Sequence, residues 1–397
     1  PPKMNPPTTT ASTQYDLMWE DDDDDDDLLL SLVLCRRSQR REWWARACAR
    51  RAPVLATGDR TRGTPVLFGA ATRYGTDWGL AEGDFKRLFR FTPADMPRLV
   101  RVLGIPDEIA GPTFGRLPGD DALLVFIRRL ARADDLVDLK LLFNRAEGVI
   151  SGIIKAITDH LLPLARRRLD KFDAGKWRPW MPTFASATTT CGSPLDRLWG
   201  LLDGTWVAMS RPGREGYRGD FQRVYYSGYK HAHGLLYQGV FAPNGLFVEL
   251  DGPYPGGLYN DVSMLRESGL LDRIRASCYI NGELYYLFGD CGYMNDDCLI
   301  CPYPKATARA CREARDFNRR MSKIRVPIEW GFGRVRALFP FVDYSHKLRF
   351  DSMPVGSYYI IAVFLTNLYC CLHGSQTAQY FTCPAPEIED YMRIEDY

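Results

Sequence analysis

Past residue 195 the chain changes its hydrophobic rhythm, and that change limits the folds open to it. Before it, apolar residues recur every three or four positions; after it, they gather into short runs of strand length bounded by turns. Leu198 to Met209 is one such run, with Leu201, Leu202 and Val207 around a single acid, Asp203. Tyr225 and Tyr226, Leu235 to Phe241 and Leu246 to Leu250 follow, the last two separated by the turn signal Pro243-Asn244-Gly245. Asp261 to Leu271 has helical spacing, Leu284 to Phe288 is a short strand closing on Gly289-Asp290, and Ala306 to Leu338 is a long, basic, mostly helical stretch. This order predicts an α/β domain, a mixed sheet flanked by helices, over residues 196–375.

The region ahead of it, 85–170, reads as all-α. Thr92 followed by Pro93 suits a helix start, and Met96, Leu99, Val100 and Leu103 recur at helical spacing. Ala122 to Leu130 is a second apolar helix. Leu136 to Phe143, a break near Asn144, and Ala146 to Leu162 form a helix–turn–helix-like pair. Such a pair can read DNA, and any helical bundle produces one. Residues 171–195, rich in Pro, Trp and small polar residues, are expected to be a linker or lead-in, and 376–397 a C-terminal tail.

Charge is segregated. The formal net charge is +2, yet Glu20 to Asp27 is an unbroken acidic block, and without it about +10 remains on the rest. Residues 1–35 are expected to form a disordered acidic tail, solvated or competing with DNA for the protein's own basic surface. Residues 36–84 are expected to be a basic, poorly structured segment. Within it Arg36 to Arg51 sets seven arginines around Trp43 and Trp44, suiting phosphate contact, nuclear import or a plain surface helix. This balance permits a polyanionic partner. Eleven cysteines, an odd number spread over 397 residues, do not read as a disulfide scaffold and suit a cytosolic or nuclear protein. Leu28 to Leu34 and Ile360 to Leu372 are too short to span a bilayer, so no membrane segment is expected.

Carboxylates are the residues to weigh, because metal-assisted phosphodiester chemistry needs hard oxygen ligands. Asp203 lies inside an apolar run, where a charge must be paired or metal-bound. Asp290 closes another, and a ligand belongs at such a strand end. Glu329 lies between Ile328 and Trp330 in the basic helix. Each has a plainer reading, as a turn residue or a surface glutamate. Asp261 reads as a helix cap, or as a hydrogen-bonding group near the site. His231 and His233 suit packing or phosphate contact better than metal, and Cys298-x-x-Cys301 could begin a zinc site but has no second tight pair. No Walker A sequence or Gly-rich dinucleotide loop is present.

Taken together, the segments LLDGTWVAMSRP, QRVYYSGYKHAHGLLYQGVFAPNGLFVELDGPYPGGLYNDVSML, LFGDCGY and NRRMSKIRVPIEWGFGRV resemble the successive motifs of the PIF/Harbinger-type DDE endonuclease family. Asp203-Gly204-Thr205 matches its first motif. Gly289, Asp290, Gly292 and Tyr293 match its second, and Ile328, Glu329, Phe332 and Gly333 its third, with 86 and 38 residues between the acids. FRFTPADMPRLVRVLG, ALLVFIRRLA, LFNRAEGVISGIIKAI and AVFLTNLYCCLHG extend the likeness to about residues 37–375. Trp206 departs from the His that often follows the first motif, and Pro327 is expected to kink or restart the helix before Glu329. The resemblance implies an RNase H-like catalytic domain with Asp203, Asp290 and Glu329 as catalytic metal ligands for Mg²⁺ or Mn²⁺, two ions in all. It implies a DNA substrate, transposition, a nuclear location and a Myb-like DNA-binding partner, and it leaves homo-oligomerisation open. The rival reading is a domesticated, non-catalytic DNA-binding or adaptor protein that keeps the fold.

Overall fold

The computed structural model describes residues 80–172, 174–212, 221–345, 348 and 353–393. The acidic block and the Arg36–Arg51 segment lie outside them.

The helical region opens with Glu82–Phe89 and Met96–Val102. The second begins after a turn in which the Thr92 amide donates to Asp95 Oδ2 and the Asp95 amide to Thr92 Oγ1. A hairpin interrupts the expected run of helices, with β1 (Glu108–Gly111) antiparallel to β2 (Gly115–Pro118). Only Ile109 and Leu117 of it are buried, too short an alternation to register in sequence. Helices Gly119–Ala131, Leu136–Phe143 and Glu147–Leu169 follow, the last two joined through Asn144 in the left-handed conformation.

The stretch expected as a linker carries helix Met181–Thr190, which buries Met181, Phe184, Ala185 and Thr188 and packs on the first long strand. Proline at its first turn needs no amide donor there, so a Pro-rich lead-in could begin a helix. That strand is β3 (Leu198–Ala208). After helix Phe221–Tyr225 come β4 (Tyr226–Ser227), β5 (Ala232–Phe241) and β6 (Phe247–Pro255), then helices Asp261–Ser268 and Leu270–Ser277. Asn260 caps the first of these through Ser263, and Gly269 ends it at positive φ. The short strands β7 (Tyr279–Ile280), β8 (Glu283–Leu284), β9 (Tyr286–Phe288) and β10 (Leu299–Ile300) precede helices Lys305–Ala310 and Arg312–Leu338.

In the central sheet β6 and β5 are antiparallel, as are β5 and β3, whereas β3 and β9, and β9 and β10, are parallel. It is a mixed sheet flanked by helices, as the sequence rhythm predicted. The β3–β9 pairing stops at Leu201↔Phe288, while β3 stays paired with β5 as far as Ala208↔Gly234. Beyond Leu201, β3 therefore runs on past the end of β9.

Alternation along β5 decides what each face meets. Tyr237, Gly239 and Phe241 meet two long helices. Tyr237 stacks on Tyr359, and its hydroxyl donates to Gly356 O. A Cβ on Gly239 would lie 3.1 Å from the Phe332 ring, and one on Gly331 would lie 2.7 Å from Phe241, so two glycines let Arg312–Leu338 sit close on the sheet. Val355–His373 buries 13 of its 19 residues. It is longer than the Ile360–Leu372 run suggested. With Glu147–Leu169 it is one of two described helices long and apolar enough to cross a membrane by length and composition, but here it is a core helix. Its Asn367 accepts from the Phe247 amide at 2.9 Å and donates to the Phe247 carbonyl at 2.8 Å, replacing a neighbouring strand.

Residues 376–393 fold back. Helices Gln376–Tyr380 and Ile388–Met392 follow, with Ile388 and Tyr391 buried.

Candidate active site

Asp203 stands opposite Gly239, so it points to the face covered by Arg312–Leu338. Asp290 follows the end of β9 by two residues, beside the length of β3 that β9 no longer covers. Each aspartate uses its oxygens in the same way. Asp203 Oδ1 accepts from the amide of Gly204 at 2.9 Å, and Asp290 Oδ1 from the amide of Cys291 at 2.6 Å. Both Oδ2 atoms turn to one guanidinium nitrogen: Arg325 Nη2 lies 2.8 Å from Asp203 and 3.5 Å from Asp290.

Glu329 lies one helical turn beyond Arg325, with Oε1 3.2 Å from Nη1. Pro327 lies between them, and one helix runs unbroken from Arg312 to Leu338, so the expected restart does not occur. Pro327 removes one amide donor to the preceding turn. Its ring is buried, and its own carbonyl accepts from Thr377 Oγ1 at 3.5 Å. The fold thus draws all three expected acids to one side chain that the sequence reading did not single out. The available signal was the four-residue spacing of Arg325 and Glu329 on a helix.

Exposure rises across the trio, from 14% of the Asp203 side chain to 38% for Asp290 and 58% for Glu329. Burial pushes the Asp203 carboxyl up to about 6, with Arg325 pulling it down and Asp290 pushing it further up.

A fourth acid joins from the opposite face of the sheet. Helix capping falls to Asn260, which frees Asp261 to reach the edge of β3. A Cβ on Gly204 would stand 2.5 Å from Asp261 Oδ1, and one on Gly292 would stand 3.0 Å from Oδ2. The glycines of two motifs therefore make room for this carboxylate. Its pKa is raised, first by burial and then by the charge of Asp290. Gln238, a polar residue inside the apolar run of β5, donates to the Asp261 carbonyl at 3.4 Å and to the Tyr293 hydroxyl at 2.9 Å. That hydroxyl is held well above its ordinary pKa by burial and then by Asp261.

The histidines and cysteines lie apart from this constellation. His233 is six positions from Gly239 along β5, about 20 Å, and its ring packs on Tyr226. Cys298 is buried, with its thiol directed at Leu271 O and Asp296 Oδ1. Cys291 adjoins Asp290, but burial and then Asp290 push its thiol up, away from the thiolate a metal would need.

Among the described residues no three His, Cys, Asp or Glu side chains stand close enough to hold an ion unaided. The donor set around Arg325 is nevertheless all carboxylate oxygen, the chemistry of a hard divalent cation, and it already surrounds one positive charge. By donor type the residues fit such an ion.

No curated protein and no solved structure matches the chain. Residues 202–367 match the model of a family described as DDE superfamily endonuclease, a stretch that holds Asp203, Asp261, Asp290, Arg325 and Glu329.

Proposed function

We propose that this chain is a divalent-metal-dependent DNA endonuclease and strand-transferase of the PIF/Harbinger DDE transposase type, with Asp203, Asp290 and Glu329 as its catalytic acids. The observation that carries the proposal is their meeting, from three separate elements, on one positive charge. The strand order β6–β5–β3–β9–β10, antiparallel on one side of β3 and parallel on the other, supports reading the sheet as RNase H-like. Two bound Mg²⁺ or Mn²⁺ ions would supply an activated water and stabilise the departing oxygen.

The chain's own residues prepare the rest. Asp203 and Asp290 would hold the metal, each oriented by an amide of its own backbone. Glu329 would stand at the open side, carried by a helix whose Arg312, Arg315, Arg319, Arg320 and Lys323 are exposed and suit a phosphate backbone. The Leu136–Phe143 and Glu147–Leu169 pair is the candidate DNA-reading unit. DNA as substrate, a Myb-like partner, a nuclear location and a homo-oligomeric state belong to the same proposal.

One observation favours the second reading, a domesticated DNA-binding or adaptor protein without catalysis: the Arg325 guanidinium stands among the acids as an ion-pair partner to each. A cleavage assay on terminal-repeat duplexes with Mg²⁺ or Mn²⁺, with and without the Myb-like partner, separates the two. Wild type should cleave, with Asp203→Ala and Asp290→Asn slower by about a thousandfold or more. Equal cleavage by all three proteins would sink the site assignment. No cleavage by wild type in any mixture would favour the adaptor.

A further inference from the structure

One guanidinium is shared by three acids. A side chain built as a structural bridge presents its fork to one carboxylate in two parallel bonds. Arg325 instead gives Asp203, Asp290 and Glu329 one contact each, and only the contact to Asp203 is short. Its Nε is buried with no hydrogen-bond partner among the described residues. That is the arrangement of a positive charge set among anions, not of an orientation-specific clamp. The carboxylate of Asp261, against Gly204 and Gly292, adds to the negative charge nearby.

We infer that Arg325 is the resident counter-cation of this site, holding its acids together while no metal is bound, and that loading a divalent ion displaces its guanidinium. The inference rests on the metal-dependent reading above and adds a positioning residue to it. Guanidinium and metal compete for the same carboxylate lone pairs, so the affinity for the ion is the difference between two attractions. The side chain is one-fifth exposed on a flexible stem, which leaves it a path out of the cluster without unwinding the helix.

Titration of the full chain with Mn²⁺, followed by the electron paramagnetic resonance of the free ion, tests this together with thermal unfolding in the absence and presence of Mn²⁺. Arg325→Gln should bind Mn²⁺ about tenfold or more tightly than wild type. It should unfold at a lower temperature without metal and recover more on saturation. Arg325→Lys, which keeps the charge and loses the fork, should fall between the two, and it decides the matter if the Gln variant does not fold. Mn²⁺ binding no tighter in the variants than in wild type, at a site that Asp203→Asn removes, overturns the inference and leaves the metal site standing. If Mn²⁺ binds none of these proteins, or binds Asp203→Asn as well as wild type, the metal-site reading fails and displacement falls with it.

Discussion

A methyl group on Gly204 would stand 2.5 Å from Asp261 Oδ1, with Asp203 as its immediate neighbour, so the smallest substitution there disturbs two acids at once. Gly204→Ala should destabilise the protein by about 1–3 kcal/mol, measured as a shift in the urea midpoint. Gly333→Ala is the matched control. A Cβ there meets nothing within 4 Å, and the helical change should stabilise by up to about 1 kcal/mol. The raised carboxyl of Asp203 makes a separate prediction. Its folded pKa, about 6, lies above the unfolded value of 3.8, so the fold favours the protonated form. Stability from this group is fully present below the unfolded value and is lost as pH rises through about 6. In metal-free buffer the midpoint of Asp203→Asn should therefore gain on wild type between about pH 4 and 7; a pH-independent difference would contradict the assignment. Asp203 and Asp290 stood out as candidates in sequence because each lies within or closes an apolar run and sits in a motif of the resembled family. Arg325 was not, because one arginine in an arginine-rich helix carries no local mark of the three partners it meets in space.

Polar contacts tie the framing helices to the sheet, and Asn367 makes the plainest of them. Its amide fills the place of a strand beside Phe247 and also donates to the Tyr391 hydroxyl at 3.0 Å. Asn367→Leu keeps the branched heavy-atom outline and leaves a buried amide and carbonyl without that partner. A loss of about 2–5 kcal/mol is expected, read from chemical unfolding, and a loss under about 1 kcal/mol would mean that water replaces the amide. The large elements were readable from periodicity because they bury continuous stripes: Glu147–Leu169, Arg312–Leu338 and the β5–β6 hairpin. The β1–β2 hairpin and Met181–Thr190 were not, since each buries only a few side chains and their turn residues and prolines look like loop. Pro327 shows the limit of a local rule. Proline disfavours the preceding turn, yet Pro327 is buried inside a helix that runs from Arg312 to Leu338.

Residues past 375 read as a tail because their apolar positions are sparse, yet 376–393 make polar contacts back to the helical region. Arg98 pairs with Glu387 and Glu389, and this pairing holds the Glu389 carboxyl down at about 2. Lys176 donates to the Tyr391 carbonyl, and Arg168 to that of Met392. Ending the chain at Pro386 would remove two buried side chains, Ile388 and Tyr391, worth about 1.5–3 kcal/mol each. The truncated protein should melt in one transition at a clearly lower temperature, and an unchanged melting temperature would show that these contacts contribute little.

The origin of the three acids has a consequence for the life of the molecule. Asp203, Asp290 and Glu329 come from a strand, a strand end and a helix, and no stretch of chain shorter than Asp203 to Glu329 contains them all. During synthesis the first two leave the ribosome well before the third, and a fragment that ends before Glu329 or begins after Asp203 lacks at least one of them. Whatever chemistry the acids perform thus depends on the fold that gathers them, so that a nascent chain not yet past Glu329, or a fragment lacking any one of them, does not carry it.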